Sequence, residues 1–294
     1  MIDLHLHTTY SDGTDTVEQL LENAERLKLE LISITDHDEV GAYFELENHP
    51  EIRNKFSGEI IIGSEIKSIF ENTNIEILAY GIDYKKIQIK REDRNKVQND
   101  ILKHFIKVGK NLGIKCNENI YTDSNDKDKI YGSWVYVDEV TKYPENEEII
   151  KRLGGFDRTL FYRQFESNIN SPFYYNTSIY YDDCNTLIEK IHDAGGLAFL
   201  AHGLIYSFEN PRKAVEKIIS STDIDGLECI YPLFGEDDKA FMIELCKKYN
   251  KFISGGSDYH AKNKPTTFMA TGINNNIIVE KNVVSPWANN LRKI

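Results

Sequence analysis

The 294-residue chain has few cysteines, no long apolar run and no excess of positive charge. Its four cysteines, Cys116, Cys184, Cys229 and Cys246, lie far apart and form no CxxC pair, which argues against a zinc ribbon or a disulfide framework. No apolar stretch approaches the roughly 20 residues of a membrane span. No basic segment followed by an apolar one precedes Met1–His5, which enter structure at once. A cytoplasmic, reducing setting is therefore the expectation. The formal net charge of −12 disfavours non-specific binding to nucleic acid or anionic membranes. Metal cations in a carboxylate-lined cleft would invert that sign locally, so an anionic substrate stays open. There is no internal repeat and no low-complexity tract. What is present is ample for a core: a hydrophobic fraction of 40% argues against disorder. The length suits one large α/β domain, or a core domain with a second one inserted.

Along the chain, short apolar runs end repeatedly in polar, chemically capable residues. Ile2–Leu6, Leu31–Thr35, Glu59–Ile66, Ile75–Ile82, Leu197–Ala201, Gly226–Ile230 and Phe252–Gly255 read as seven strands. Between them Thr16–Lys28 carries apolar residues at helical spacing with Thr16 as a cap, and Asp182–Ala194, Pro211–Ser220 and Glu236–Tyr249 read as further helices. The alternation predicts a mainly parallel sheet closed into a barrel, one strand short of the common eight. The middle differs. Arg91–Leu112 is a charged helical pattern, Asn117–Lys129 a polar loop, and Gly132–Tyr175 rich in tyrosine and phenylalanine. Residues 90–178 are expected to form a helical insertion over the barrel mouth, with 1–89 and 179–294 forming the barrel.

Of the eight histidines, His5, His7, His37, His202 and His260 sit at or just beyond the C-terminal ends of expected strands, the face that holds the active site in barrel enzymes. His5 and His7 are two apart on one strand and so point to one side. Carboxylates accompany them: Asp12 in the following turn, Asp36 beside His37, Glu65 at the third strand, and Asp258 beside Tyr259 and His260. Imidazoles mixed with carboxylates suit zinc, manganese or iron. Carboxylates that bridge two ions about 3.5–4 Å apart can generate a hydroxide nucleophile and stabilise both attacking and leaving oxygens in phosphoryl transfer. One structural zinc would need only four ligands. Each cluster alone has a plain alternative: a cap, an edge charge or an ion pair. Five of them at strand ends point to a site. His49, His104 and His192 read as loop or helix-surface residues.

These residues resemble the motifs of the PHP (polymerase and histidinol phosphatase) family. The matches are His5-Leu6-His7-Thr8-Thr9-Tyr10-Ser11-Asp12-Gly13, Thr35-Asp36-His37-Asp38, Gly63-Ser64-Glu65-Ile66, Gly195-Gly196-Leu197-Ala198-Phe199-Leu200-Ala201-His202, Asp225-Gly226-Leu227-Glu228 and Gly255-Gly256-Ser257-Asp258-Tyr259-His260. The resemblance implies a distorted (β/α)7 TIM-like barrel, an α/β fold, with up to three metal ions. It implies that His5, His7, Glu65 and Asp258 hold one ion, that Glu65 bridges to a second held with His202, and that Asp12, His37 and His260 hold a third. Two positions depart from the family. Where relatives place a ligand histidine, this chain has Glu76-Ile77-Leu78-Ala79-Tyr80-Gly81, and an oxygen ligand at Glu76 would harden the site toward manganese or iron. Where relatives show Arg-Pro-His in the insertion, this chain has Tyr131-Gly132-Ser133-Trp134. Arg158 and Arg163 are the candidate phosphate clamps in its place, with helix-surface charge as the plain alternative.

The expected activity is hydrolysis of a phosphate ester (a phosphomonoester, a nucleotide or an oligonucleotide end) by a hydroxide bridging two or three divalent ions, Mn, Zn or Fe. Asp36 or Tyr259 would help position a proton for the leaving oxygen, or would support the ligands from behind. The alternatives are amide or lactone hydrolysis at the same site and a degenerate metal-binding regulatory module. The implied partner is a small phosphorylated substrate or nucleotide, with no membrane and no obligate protein partner.

Overall fold

The computed structural model describes residues 1–90, 93–124, 126, 128–158, 160–177 and 179–294. Arg91, where the charged helical pattern starts, its neighbour Glu92, Asn125 and Lys127 of the polar loop, Thr159 between the two candidate arginines, and Ser178 lie outside the described residues.

Among the described residues the chain forms eight strands: β1 (Ile2–Leu6), β2 (Leu31–Ile34), β3 (Glu59–Phe70), β4 (Thr73–Tyr80), β5 (Asp182–Asp183), β6 (Leu197–Leu200), β7 (Gly226–Ile230) and β8 (Phe252–Gly255). Seven of them form one curled sheet in the order β1-β2-β3-β4-β6-β7-β8, and the two-residue β5 pairs with β3 off that path. The ends of the path meet: His7 N–H donates to the Tyr259 carbonyl at 3.0 Å and Tyr259 N–H to the His5 carbonyl at 3.3 Å. The architecture is thus α/β with a curled, barrel-like sheet.

Most neighbours are parallel, but β4 runs antiparallel to both β3 and β6. The expected parallel crossover between the third and fourth strands is instead a tight hairpin. Its two connecting residues, Glu71 and Asn72, have φ of 48° and 65°, the left-handed pair that matches the twist of a two-residue turn. Strand β3 therefore runs four residues past its expected end, which carries Lys67 beside Glu65 into the mouth.

Apolar periodicity explains the layers. Helix Val17–Arg26 is closed by a Thr16–Gln19 capping box and buries Val17, Leu20, Leu21 and Ala24 against the sheet. Helices Cys184–Asp193, Pro211–Ser221 and Glu236–Tyr249 bury their apolar stripes in the same outer layer. Inside the curl, Leu4, Ile61, Leu78, Tyr80 and Phe199 pack on Trp287 of the C-terminal helix Lys281–Ala288, which plugs the end opposite the histidines. A separate apolar cluster, built on Phe105, Tyr136, Phe161 and Phe173, lies wholly within residues 97–181. It joins helix Arg94–Leu112 to Gly132–Val140 and to a π-helical turn at Tyr162–Glu166. No helix among the described residues is long and apolar enough to cross a membrane.

Candidate metal centre

The strand ends bring together nine ligand-type side chains, all of them singled out from the sequence. Four overlapping groups have donor atoms within 4.8 Å of one another: His7, Asp12, His37 and His260; His5, His7 and Glu65; His5, His202 and Asp258; and His37, Glu65 and Glu76. Glu65 is the hub. Its Oε2 lies 3.1 Å from His5 Nε2, 3.3 Å from His7 Nε2 and 3.2 Å from His37 Nδ1, and its Oε1 lies 2.8 Å from His202 Nε2. Glu76, the residue in the histidine's place, faces the cluster too, 3.5 Å from His37 Nδ1 and 3.6 Å from His202 Nε2.

Local structure aims these side chains. His5 and His7 share one face of β1. The turn after them closes on Gly13, where any Cβ would stand 2.4 Å from the His7 carbonyl oxygen. His202 and Asp258 are held in left-handed backbone at φ of 29° and 55°, a conformation that costs a side-chain-bearing residue about 1 kcal/mol or more and that gathers at functional sites. Three imidazoles are pinned through their far nitrogens. His5 Nδ1–H donates to the buried Glu228 at 2.9 Å, His7 Nδ1 meets Ser11 Oγ at 3.4 Å, and His260 Nδ1–H donates to the Asp258 carbonyl at 2.9 Å. Each therefore turns Nε2 inward, the arrangement of a metal ligand with its outer partner.

The atoms that the cluster leaves unbonded also fit an ion. His7 Nε2, His37 Nδ1 and Asp12 Oδ1 are buried without a hydrogen bond. Carboxylate oxygens lie 3.3–3.4 Å from His7 Nε2, yet none is aligned to bond. Buried polar atoms in a native fold have partners, and several converging orphans call for a cation between them.

Charge points the same way. Burial works against ionising Asp12, Glu65 and Asp258, yet the surrounding imidazoles, and Lys264 beside Asp258, hold all three well below the usual carboxylate range. In return, against burial, Glu65 and its fellow carboxylates lift His5 well above an ordinary histidine and His7 to about 9. Burial takes His37 down to about 3 and, with Glu65, pushes Glu76 up to about 7. Divalent cations would suit a pocket of this kind, since ionised carboxylate and neutral imidazole are the forms that ligate them.

The remaining sequence candidates lie behind or beside the cluster. Asp36 is buried and accepts from Thr8 N–H, Thr8 Oγ1 and Ser11 Oγ at 2.7, 2.7 and 2.6 Å, so it reaches His7 only through Ser11. Tyr259 donates to Asp15 at 2.9 Å. Arg158 stacks over Trp134 at 4.5 Å and bonds Asp128, whereas Arg163 lines the cavity. That cavity, about 450 Å³, runs from the cluster up to the 94–181 segment, and Tyr131 crosses it to donate to Asp12 at 3.1 Å. Sequence reasoning missed four residues here. Glu228 bonds His5 and the His202 N–H; Tyr231 and Lys264 hold Asp258 Oδ2 at 2.9 and 2.6 Å; Lys67 lines the wall. Lys67 carried a readable signal, two residues beyond Glu65 on the same face, and Glu228 stands in the matched stretch Asp225–Glu228, though without a role there.

Glu166 in the cavity wall is 4% exposed, and its pKa is pushed up to about 7 by burial, against the pull of Lys67 and a Ser133 hydrogen bond. Its folded pKa lies above its unfolded value. Its contribution is therefore complete below about pH 4.5 and is lost as pH rises through 7. Glu166→Gln should come close to wild-type stability near pH 4.5 and exceed it by roughly 3 kcal/mol at pH 8 in urea titrations, from ~1.4 kcal/mol per pKa unit. Equal pH dependence in the two proteins would rule the assignment out.

A family model described as the PHP domain matches residues 3–193. A 5'-3' exoribonuclease of Haemophilus influenzae is 26% identical over 267 residues, covering 88% of this chain and 89% of that one. A phosphoribosyl 1,2-cyclic phosphate 1,2-diphosphodiesterase of Eggerthella lenta is 26% identical over 281 residues, 88% and 94% of the two chains. Two solved structures share the fold. One, from Bifidobacterium adolescentis and named for an inferred metal-dependent phosphoesterase activity, superposes with a TM-score of 0.62 at 19% identity over 97% of this chain and 94% of its own. An amidohydrolase of Chromobacterium violaceum gives 0.62 at 18% over 97% and 96%.

Proposed function

This chain belongs to the PHP domain family and is a metal-dependent phosphoesterase, and on that premise we propose that His5, His7, Asp12, His37, Glu65, Glu76, His202, Asp258 and His260 hold two or three divalent ions, Mn, Zn or Fe, over which a phosphate ester is hydrolysed. The observation that carries the assignment is the set of unbonded buried atoms in the cluster, His7 Nε2 and His37 Nδ1 beside Glu65 and Asp12 Oδ1 between His37 and His260. In the same reading the curled sheet is a distorted (β/α)7 barrel and residues 90–178 are its lid. The substrate is a phosphomonoester, a nucleotide or an oligonucleotide end, the last in keeping with the exoribonuclease relative, and the setting is cytoplasmic.

Bound divalent ions would lower the pKa of a water and neutralise charge on the phosphoryl oxygens. The chain's own residues do the rest. Glu228, Ser11 and the Asp258 carbonyl fix the tautomers and tilt of His5, His7 and His260. Asp36 keeps Ser11 in place, and Tyr259 braces Asp15 at the edge of the same turn. Lys264 and Tyr231 orient Asp258 so that Oδ1 faces the histidines. Arg163 offers a cation to the substrate from the lid side; Arg158 braces Trp134 and Asp128.

Chelation should abolish hydrolysis of p-nitrophenyl phosphate, and manganese added back should restore it, with amide and lactone substrates untouched throughout. Full activity after exhaustive chelation, with no metal detected by elemental analysis, would overturn this reading.

A further inference from the structure

The cluster is rich in carboxylate, so a substrate phosphate needs positive charge from the protein as well as from any ion. The lid segment at 131–134 brings Tyr131 and Trp134 toward the cavity rather than a cation. Arg158 is committed to Asp128 and Trp134, and Lys264 to Asp258. Lys67 is different. It projects from β3 on the same face as Glu65, directly opposite Glu76 in the antiparallel register. Glu76 does not hold it, because that carboxylate is turned toward His37 and His202. No carboxylate oxygen of the described residues lies within ion-pairing reach of Lys67 Nζ; the Tyr181 ring lies 6.0 Å from it, and Asp38, Glu76 and Glu166 act on it only at longer range.

Lys67 also stands where two cavities meet. The main cavity and a second one of about 370 Å³ share His37, Lys67, Gln98, Tyr131 and Tyr181 as their common wall. An ammonium at that wall, one strand residue-pair from the hub carboxylate, reaches the space over the cluster from the barrel side, while Arg163 reaches it from the lid side. A lysine is a compact point charge on a flexible stem and suits a phosphoryl oxygen approached end-on.

We infer that Lys67 is the barrel's anchor for the substrate's phosphoryl group, binding it beside the metal cluster from the wall between the two cavities. The inference rests on the phosphoesterase reading of the same site, and the two are tested separately. Turnover of p-nitrophenyl phosphate by the metal-loaded wild type tests the reading. For Lys67, inorganic phosphate is titrated calorimetrically into manganese-loaded wild type, Lys67→Met and Lys67→Arg, after metal per chain and thermal melting have been measured for each. Lys67→Met should keep its metal and its melting temperature. It should bind phosphate at least about tenfold more weakly and raise the KM for p-nitrophenyl phosphate by a similar factor, in line with loss of one charge-assisted contact. Lys67→Arg should recover most of both. Unchanged phosphate affinity in a folded, metal-loaded Lys67→Met protein overturns the inference. So does loss of bound metal in that variant with the phosphate affinity of the remaining loaded protein intact, since Lys67 would then serve the ligands rather than the substrate.

Discussion

Glu65→Gln should lower kcat/KM for p-nitrophenyl phosphate by roughly three orders of magnitude or more and cost more than one metal equivalent per chain. The size follows from position. One carboxylate touches four imidazoles, His5, His7, His37 and His202, through both of its oxygens, more than Asp12, Glu76 or Asp258 reaches. Glutamine keeps the volume but offers one weak acceptor and one amide donor. The donor would face ring nitrogens that also need a cation. The side chain is completely buried, so water cannot fill in for the lost oxygen. Stability should fall as well, because the ionised carboxylate is paired with the imidazoles of His5, His37 and His202 and glutamine leaves those buried rings without that partner. Elemental analysis and steady-state kinetics on the same sample decide it. A variant that keeps its full metal complement with less than tenfold loss of activity would show that Glu65 is not the bridge.

How far this site could be read from the sequence depended on whether its residues announce themselves by position. The nine ligand candidates did, because strand ends and a two-residue spacing on β1 place side chains on one face without knowledge of the packing. The outer layer did as well, since helical periodicity in Val17–Arg26 already names the residues it buries. Strand direction did not. Thr73–Tyr80 reads as a strand in any direction, and its antiparallel course is set by the left-handed turn at Glu71 and Asn72, a pair without the glycine that usually marks such a turn. Arg158 and Arg163 look alike in sequence and diverge in space, because one side chain finds Trp134 and the Asp128 carboxylate and the other does not. Tyr231 and Lys264 reach Asp258 from distant or irregular segments, a relation that only the closed sheet creates.

Asp3→Ala should destabilise the fold by about 3–6 kcal/mol, on the order of 1–3 kcal/mol for each of several stranded buried donors, and should disable the metal centre with it. Asp3 lies at the entry of β1 and is fully buried. Its Oδ1 accepts from His5 N–H at 3.3 Å and Ser257 N–H at 2.9 Å, and its Oδ2 from Ser257 Oγ and from Ala270 N–H at 2.7 Å. One carboxylate thus joins the first strand to two segments after the last, across the seam where the sheet meets itself. The seam is tight: a Cβ at Gly256 would stand 2.5 Å from His5 N and 2.9 Å from Asp3 Oδ1. Alanine leaves three backbone donors without acceptors in a space that closes poorly around water. A loss of this size is a large share of the 5–15 kcal/mol that holds a typical domain. Asn separates charge from connectivity. Its oxygen can keep the His5 and Ser257 amides and Ser257 Oγ can rotate to accept, but its NH2 meets the Ala270 N–H donor to donor. Asp3→Asn should therefore fall between wild type and alanine in melting temperature. Because Ser257 precedes Asp258, whose left-handed backbone sets the direction of its carboxylate, metal content should fall in the same order: wild type, asparagine, alanine. If Asp3→Ala melts with wild type and binds its full metal, the seam is held by the strand-end amides alone and Asp258 needs no support from β1.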